Sequence, residues 1–413
     1  GKGLPARITV FAGEEDAPEL PPIYFNQPAT TTAARPGVVY TADGSAAFEL
    51  PIGTYRVRAT RGMEWGLDES RVTVQAEGVA QIALSIRREV DTTGYVAADT
   101  HIHTLTFSGH GDSTIEERQV TLAGEGVELA IATDHNHTVD YTSWQEAAGL
   151  KDEYTPVVGA ELDNKLGHFN AFPLDPKDEI PDRSVLDWVK WVEEIRSHGA
   201  RVVVLNHPRW PNINDSPFHH QGLDPVTGQR ATGAAFTFDC VELVNSTWIL
   251  DDPLFQCRDW FALLNRGEDV LAVGSSDSHT VAVQVGQGRT YVASRTDEPS
   301  QIDVDAACDA FLEGRTSISF GIFTDIRVGR RSGMGDTVRV RDRRVPVRVR
   351  VSAPGWITPR KVLLFLNGTQ VAEAPVPGTP GRSTDAWLEF QVATPPHDAW
   401  LVAVVLGDGV SGP

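Results

Sequence analysis

Residues 1–90 are dominated by short runs in which apolar and polar residues alternate. Residues 6–10, 54–58 and 81–86 follow this pattern, which places the apolar side chains on one face of a strand. Turn-forming pairs such as Asp43-Gly44 separate the runs. The pattern predicts a small β-sandwich over residues 1–90.

Residues 91–322 have a different pattern, in which short apolar runs alternate with segments of helical periodicity. The clearest helix is predicted over residues 184–198, with Asp182 or Ser184 as its N-cap. A second helix is predicted over residues 253–266. Strands that alternate with helices favour βα units, which form a parallel sheet or a barrel.

Residues 323–413 return to strand patterns. Valine occupies every second position over residues 345–351, and further strands are predicted over residues 362–366, 387–392 and 400–406. These strands predict a second small β-sandwich. The expected fold class is therefore α/β, with a central catalytic domain flanked by N-terminal and C-terminal β-sandwich domains.

The charge balance limits the kinds of partner. The 413 residues include 36 basic and 56 acidic side chains, which gives a formal net charge of −20. A surface this acidic repels nucleic-acid phosphates and anionic lipid, and no apolar run is long enough to cross a membrane. We expect no nucleic-acid or membrane partner. A small anionic substrate stays open, because bound divalent cations would reverse the local field.

Cysteine content and the first residue bear on the compartment. Cys240, Cys257 and Cys308 show no metal-binding spacing, and their odd number argues against a disulfide framework. The sequence begins with Gly1, so we expect a processed N-terminus. Together with an accessory β-domain, this favours the periplasm or secretion, although the compartment and the oligomeric state stay open.

Histidine is concentrated in the central segment, where 11 of the 12 histidines lie between His101 and His279. Residues able to bind a metal follow successive apolar runs: Asp99, His101 and His103; Asp134 and His135; Glu161; Asn206 and His207; Asp277 and His279. In a parallel α/β barrel all strand carboxyl ends open on one face, so these side chains would converge there. A single His-x-His is more often an ordinary pair of histidines, but five successive strand ends predict a metal site. Imidazole and carboxylate ligands suit Zn²⁺, Mn²⁺ or Fe²⁺.

These residues lie in ordered motifs. The motifs are His101-Ile102-His103-Thr104 with Ser108-Gly109-His110-Gly111-Asp112, then Ala132-Thr133-Asp134-His135-Asn136, Gly159-Ala160-Glu161, Gly167-His168-Phe169, Asn206-His207-Pro208 and Asp277-Ser278-His279. Over residues 95–320 the set resembles the PHP (polymerase and histidinol phosphatase) superfamily. The flanking β-domain and Asn206-His207-Pro208-Arg209 most resemble the branch that contains carbaryl hydrolases.

The resemblance implies a distorted seven-stranded (β/α) barrel that holds two or three divalent metal ions. It implies a first ligand set of His101, His103, Glu161 and Asp277, a second in which Glu161 bridges to His168 and His207, and a third of His110, His135 and His279. All nine positions carry side chains that can bind a metal. Residues 1–90, with Thr41-Ala42-Asp43-Gly44 and Leu50-Pro51-Ile52-Gly53-Thr54-Tyr55, are similar to carboxypeptidase-regulatory accessory domains, which implies no chemistry.

The metal site predicts hydrolytic chemistry. A divalent cation can lower the pKa of bound water to about 7 and stabilise oxygen charge in the transition state, so we expect a metal-bridging hydroxide to attack an ester. Arg209 is the candidate contact for an anionic substrate, with a rim salt bridge as an equal alternative. His137 is a candidate proton donor, although a supporting or solvent-facing role is favoured. Asp134 is expected to orient an imidazole, and Glu242 to support a ligand.

Other histidines carry weaker signals. His219 and His220 lie in a proline- and asparagine-rich stretch, residues 208–228, that is either a lid or an ordinary loop. His198 and His397 are expected to be structural or exposed.

The leading expectation for function is a hydrolase of small esters. Phosphomono- or phosphodiesters are favoured, because each phosphoryl oxygen can contact a cation. The alternative is a carboxylester or aryl carbamate hydrolase, which the branch resemblance supports. A different class is a binding module that keeps its metal only as a structural element. An aromatic pocket would favour the carbamate, and an arginine-lined pocket the phosphate.

Overall fold

A computed structural model describes residues 3–13, 18–247, 252 and 254–408 of the chain. The described residues form a mixed α/β protein with several sheets and few helices. None of the helices in these ranges is long and apolar enough to cross a bilayer.

The described residues of the N-terminal segment form one antiparallel sheet, whereas a two-sheet sandwich was expected over residues 1–90. The strands of this sheet are β1 (Ala6–Phe11), β2 (Thr32–Arg35), β3 (Val38–Thr41), β4 (Gly53–Thr60) and β5 (Asp68–Val74), in the order β2-β3-β1-β4-β5. The strands expected at 6–10 and 54–58 are confirmed, because alternation fits a sheet with one buried face. The strand expected at 81–86 is wrong. That segment joins no ladder in the described residues, and Leu84 packs on the sheet instead of extending it.

The N-terminal sheet contacts the central segment through a buried polar group. The Arg7 guanidinium donates to the Tyr40 hydroxyl at 2.8 Å, and that hydroxyl donates to Oε1 of Glu125 at 2.6 Å. All three side chains are buried, so their hydrogen bonds offset the cost of removing them from water.

The central segment contains two five-stranded sheets. The first consists of β6 (Tyr95–Ile102), β7 (Leu129–Ala132), β8 (Thr155–Val158), β14 (Arg289–Ala293) and β15 (Thr316–Ser319), in the order β15-β14-β6-β7-β8. The second consists of β9 (Ala160–Asn164), β10 (Gly167–Phe172), β11 (Val202–Leu205), β12 (Cys240–Asn245) and β13 (Leu271–Ser275), in the order β13-β12-β11-β10-β9.

Both sheets are mixed, whereas the sequence pattern favoured parallel strands. Strands β6, β7 and β8 run parallel, as do β11, β12 and β13, but β10 is antiparallel to β9 and β11. Only Lys165 and Leu166 connect β9 to β10, and a link this short permits only a hairpin. Within the described ranges no continuous ladder closes a barrel. Isolated bridges between Ile102 and Ser278 and between His135 and Glu161 join the two sheets.

Seven α-helices complete the described part of the chain: α1 (Leu105–Ser108), α2 (Ile115–Gly124), α3 (Thr142–Ala147), α4 (Trp188–Ser197), α5 (Pro217–His220), α6 (Phe255–Asn265) and α7 (Val304–Leu312). Helix α4 begins later than expected, and neither Asp182 nor Ser184 is its N-cap. The Asp187 carboxylate accepts the backbone N–H of Lys190 at 3.0 Å and therefore sets the start of the helix. Helix α6 confirms the second expected helix, although Pro253 lies outside the described residues.

Three apolar clusters hold the central segment together. One lies between the two sheets and joins Val96 and Ile131 to Val204 and Val273, with Phe311 of α7 beside them. The second packs the other face of the β9–β13 sheet against α4, and the third packs the β6–β8 side against α2 and α3. Alternate residues of each strand therefore serve two different cores.

The C-terminal segment forms two three-stranded antiparallel sheets. They are β16 (Phe323–Val328), β17 (Arg344–Ala353) and β20 (Thr384–Ala393), and β18 (Pro359–Leu366), β19 (Thr369–Pro375) and β21 (Leu401–Gly407). Val347, Val349 and Val351 of one sheet pack in a cluster with Val362 and Leu364 of the other. The predicted strands of this segment are confirmed, and so is the sandwich arrangement.

Candidate metal centre

The nine ligand candidates meet at one edge of the central segment. His101 lies in β6 and Glu161 in β9, while the other four of these six ligands follow the ends of their strands by about one to three positions: His103, His135, His207 and Asp277. His168 lies at the start of β10, which reaches the same edge because that strand runs antiparallel to β9. Ring contacts link the histidines, with centroids 4.0 Å apart for His103 and His279 and 5.1 Å apart for His168 and His207. That each of the nine binds a cation stays a prediction.

A buried group consists of His101, His103, Glu161 and Asp277. Oδ1 of Asp277 lies 3.3 Å from Nε2 of His101 and 3.2 Å from Nε2 of His103. Oε1 of Glu161 lies 3.2 Å from Nε2 of His101, and Oε2 lies 3.3 Å from Nε2 of His103. Ligand atoms about 2.1 Å from one cation are separated by about 3.0 Å in octahedral and about 3.4 Å in tetrahedral geometry. The spacing of this group fits a bound divalent metal.

Two ring nitrogens of this group lack hydrogen bonds. Among the described residues, Nε2 of His101 and Nε2 of His103 are buried and form no hydrogen bond of acceptable geometry. A buried polar atom without a partner costs about 1–3 kcal/mol, so such atoms are rare unless they serve a ligand. A divalent cation would satisfy both nitrogens.

The electrostatics of the group also fit a cation. Burial disfavours the carboxylate of Asp277, but the neighbouring His101 and His103 outweigh it and lower the pKa of Asp277. Burial likewise opposes ionisation of Glu161, yet His101 and the other histidines hold the pKa of Glu161 well below its ordinary value. The two imidazoles differ, since carboxylates raise the pKa of His101 whereas burial lowers the pKa of His103 to about 3. Both carboxylates are therefore ionised within one buried space. A metal cation there could take the place of a proton in neutralising their charge.

Glu242 holds two ligand positions in place. Its Oε1 lies 2.9 Å from Nδ1 of His101, so the ring can donate there and direct Nε2 toward Asp277. Its Oε2 accepts the backbone N–H of His207 at 2.7 Å and the Asn245 amide at 3.1 Å. This is the supporting position expected for Glu242, because a carboxylate behind a ligating histidine fixes the ring.

Asp134 acts on the centre through a hydroxyl. Its Oδ1 accepts from the backbone N–H of Thr104 and from Oγ of Ser108, both at 2.7 Å, and its Oδ2 accepts from the Tyr141 hydroxyl at 3.0 Å. Oγ of Ser108 in turn lies 3.1 Å from Nδ1 of His103. Asp134 therefore orients an imidazole as expected, but it does so through Ser108 and not by direct contact.

Asp99, which the sequence placed among the residues able to bind a metal, has a supporting position here. Its buried carboxylate accepts backbone N–H groups of His101 and Ser276 at 3.1 Å and of Gly286 at 2.7 Å. These bonds tie the end of β6 to the loop that carries Asp277. The available signal was an acidic residue at the end of an apolar run, two positions before a ligand candidate.

Local backbone conformation sets the direction of three side chains of the site. Asn136, His207 and Asp277 have positive φ angles of 56°, 25° and 54°. Non-glycine residues rarely adopt this region, at a cost of about 1–3 kcal/mol each, and such residues cluster at functional sites. The backbone N–H of Asp277 donates to the His101 carbonyl at 2.9 Å, which holds that turn against β6.

The remaining candidates lie on the more open side. The His110 ring is exposed, with its centroid 4.5 Å from that of His279 and 5.0 Å from that of His135. Nδ1 of His135 lies 3.0 Å from Oε2 of Glu161 and 3.1 Å from Oδ1 of Asp163. Asp163 was missed by the sequence reasoning, although its position two residues after Glu161 puts both carboxylates on one face of β9.

Arg209 is part of a buried ion pair. Its Nε and Nη2 each donate to an Asp259 carboxylate oxygen at 2.7 Å, and Arg209 is only 5% exposed. The guanidinium carbon also lies 5.5 Å from the Phe218 ring centroid and 5.9 Å from that of Phe255. The salt-bridge alternative therefore describes the observed contacts, and a substrate contact stays a prediction.

Trp210 borders the site instead. Its side chain is 43% exposed, and its ring centroid lies 5.2 Å from that of His207 and 5.8 Å from that of His168. His137 is exposed, and its Nδ1 lies 2.7 Å from the His135 carbonyl oxygen. Nothing in the sequence distinguishes Trp210 from the other tryptophans, of which the chain has ten in all.

The other histidines lie outside these contacts. His220 on α5 pairs with Asp215 at 3.0 Å, and its neighbour His219 contacts the His220 ring. His198 lies 3.4 Å from a Glu194 carboxylate oxygen, and His397 is exposed.

No protein-family model and no curated protein matches this chain.

Proposed function

We propose that this protein is a metal-dependent hydrolase of small esters. The observation that carries the proposal is the buried group of His101, His103, Glu161 and Asp277. Both carboxylates lie 3.2–3.3 Å from the two imidazole Nε2 atoms, and neither nitrogen forms a hydrogen bond of acceptable geometry. The ordered motifs that resemble the PHP superfamily support the same proposal.

The proposed function comes with a proposed fold for the central segment. The two central sheets enclose one apolar cluster and touch through the Ile102–Ser278 and His135–Glu161 bridges. We interpret this arrangement as a distorted seven-stranded (β/α) barrel that is incompletely closed. In such a fold the site lies at the face where catalytic residues of α/β barrels occur.

The chain's residues prepare the site for hydrolysis. Two or three divalent cations, Zn²⁺, Mn²⁺ or Fe²⁺, would supply an acidified water and would polarise the ester. Glu161 lies between the buried group and the open side, because its Oε1 is 3.1 Å from Nδ1 of His168 and its Oε2 is 3.0 Å from Nδ1 of His135. The Asn206 amide donates to the same Oε1 at 2.9 Å and fixes the carboxylate. Glu161 can therefore bridge two cations.

The surroundings favour a second candidate substrate class. Phosphoesters suit several clustered cations, but Arg209 is held by Asp259 rather than free to bind an anion. The exposed Trp210 ring beside His168 and His207 could instead pack against an aryl group. An aryl carboxylester or carbamate is therefore the second candidate. The binding-module alternative predicts bound metal without turnover.

The test is hydrolysis of matched aryl phosphate, bis-aryl phosphate, carboxylester and carbamate substrates. Protein stripped of metal would be compared with protein reconstituted with Zn²⁺, Mn²⁺ or Fe²⁺. The variant His101→Ala/Asp277→Ala removes the buried group, and His397→Ala is the matched control, because that histidine is exposed in the C-terminal segment. Circular dichroism would establish that each variant folds.

We expect metal-dependent turnover that the double variant loses and the control keeps. The preferred ester would identify the substrate class. Stoichiometric bound metal without turnover on any of the four esters would contradict the enzyme proposal and favour the binding module. Turnover that survives in the folded double variant would contradict the proposed site.

A further inference from the structure

We propose that Asp163 is a metal ligand and completes a second cation position with His135, His168 and the shared carboxylate of Glu161. This inference rests on the proposed metal centre and adds a position outside the nine ligand candidates. It also groups His135 with His168, for which the resemblance to the PHP superfamily implied different cations.

The distances within this group carry the inference. Nδ1 of His135 lies 3.0 Å from Oε2 of Glu161 and 3.1 Å from Oδ1 of Asp163. Nδ1 of His168 lies 3.1 Å from Oε1 of Glu161 and 3.7 Å from Oδ1 of Asp163. One ligand atom of each residue lies within 4.8 Å of the other three. Three of these four distances, at 3.0–3.1 Å, match the separation of about 3.0–3.4 Å expected between ligand atoms of one divalent cation, and the distance from His168 to Asp163 is longer at 3.7 Å.

The fold fixes the direction of the Asp163 carboxylate. Asp163 lies two residues after Glu161 in β9 and pairs directly with His168 across the β9–β10 hairpin. The Asn136 amide donates to Oδ2 of Asp163 at 2.9 Å, and the Asp163 backbone N–H donates to the Asn136 side-chain oxygen at 3.0 Å. This reciprocal pair occupies Oδ2 and leaves Oδ1 directed at the two imidazoles.

The two cation positions differ in their access to solvent. In the buried group the His101 and His103 side chains are fully buried and Asp277 is 14% exposed. In the proposed group the exposed fractions are 17% for His135, 26% for His168 and 30% for Asp163, whereas the shared Glu161 is 1% exposed. The second cation would therefore have an open coordination side, which a water or a substrate oxygen can occupy.

A different role for Asp163 would produce part of the same geometry. A carboxylate beside Nδ1 of His135 could orient that ring without binding a cation. Asp163→Asn separates the two roles, because it keeps the size of the side chain and one oxygen that can accept a hydrogen bond from His135 or from Asn136, but it lacks the charge that binds a divalent metal. Only the ligand role requires the carboxylate.

The test counts bound cations. Metal-free wild-type protein, Asp163→Asn and the control Asp178→Asn would be titrated with Zn²⁺ and separately with Mn²⁺. Bound metal would be measured by equilibrium dialysis and elemental analysis. Asp178 is an exposed aspartate in a loop, so its variant makes the same chemical change away from the ligand groups.

We expect Asp163→Asn to bind one cation fewer than wild type, or to bind the more weakly held cation at least tenfold less tightly. The more tightly held cation should stay bound. The control should match wild type. If Asp163→Asn binds the same number of cations with affinities within threefold of wild type, Asp163 is not a ligand, while the proposed hydrolase stands. If wild type itself binds no cation, the proposed function fails as well.

A measurement on the unaltered protein covers the case in which the variant does not fold. Crystals of wild type soaked in Mn²⁺ should show an anomalous scattering peak about 2.2 Å from a carboxylate oxygen of Asp163. Peaks confined to the buried group would overturn the inference.

Discussion

Replacing Arg209 by methionine removes the cation from a buried, bidentate ion pair. Both donor–acceptor distances to Asp259 are 2.7 Å, and the side chains are 6% and 2% exposed. Methionine keeps most of the apolar length that packs near Phe218 and Phe255, so the substitution mainly removes charge.

The size of the effect follows from the burial of Asp259. Removal of one partner of a buried ion pair typically costs about 3–5 kcal/mol, because the other charge stays buried without compensation. A change of 1 kcal/mol shifts the melting temperature by about 2–4 °C in a unit of about 200 residues. The unit from β6 to β15 is of this size, so we expect Arg209→Met to lower the melting temperature by roughly 6–20 °C.

The effect should depend on pH. Burial raises the pKa of Asp259 above its ordinary value even though Arg209 favours the carboxylate. Without Arg209 the folded protein would bind a proton at Asp259 that the unfolded chain releases above a pKa of about 3.9. The stability of Arg209→Met should thus be nearest to wild type at low pH and fall as the pH rises through the raised pKa.

The assay is differential scanning calorimetry between pH 5 and 8 on metal-free protein, since bound metal would stabilise the folded state separately. The double variant Arg209→Met/Asp259→Leu removes both charges and should recover most of the loss. If Arg209→Met changes the melting temperature by less than 2 °C but lowers kcat/KM for an anionic ester tenfold or more, the ion-pair argument is wrong and Arg209 contacts substrate.

Two further predictions follow from buried carboxylates. Glu242→Gln should weaken the binding of the tighter cation about 10–100-fold, because it alters the hydrogen bond that orients His101. Competition with a chelator would measure the loss of affinity, and an unchanged affinity would refute this role. At Glu128, burial and the charge of Glu64 raise the pKa to about 8 from an ordinary 4.5, so the folded protein holds a proton that the unfolded chain has lost between these pH values. Wild type should lose stability as the pH rises through this range, by at most about 1.4 kcal/mol per pH unit. In Glu128→Gln this loss should be absent, and denaturant unfolding at pH 5 and pH 8 would measure it. If the free energy of unfolding falls equally between these pH values in the variant and in wild type, the assignment to Glu128 is wrong.

The strand pattern of the fold was largely predictable, whereas its layering was not. Alternation at 345–351 and 54–58 predicts strands because period two matches a half-buried sheet. The same alternation at 81–86 produced no strand in the described residues, because Leu84 packs on the sheet and the segment pairs with none of its strands, which the pattern alone does not reveal. The start of α4 at Trp188 was also missed, because three acidic or hydroxyl residues precede it and only the structure shows that Asp187 bonds to the helix.

The site was predictable where its residues follow apolar runs. Strand ends gather at one edge, so a histidine or carboxylate after each run has a defined destination. Asp163 carries no such mark, because a carboxylate that faces a histidine and one that faces solvent look alike in sequence. Asp99 does follow an apolar run, but the sequence alone does not show that its carboxylate accepts backbone N–H groups. The partner of Arg209 lies 50 positions away at Asp259, and no local pattern connects the two.

The shared carboxylate of Glu161 decides how cations would fill the centre. Its Oε1 faces His101 and His168, while its Oε2 faces His103 and His135, so two neighbouring cations would bind to one negative charge. The buried position has the more enclosed ligands and would fill first. That first cation would neutralise part of the charge of Glu161 and repel the second, which makes the second position weaker and more dependent on a carboxylate of its own. Among the described residues Asp163 is the carboxylate placed to supply that charge, which is why a cation count on Asp163→Asn tests the order of filling as well as the ligand.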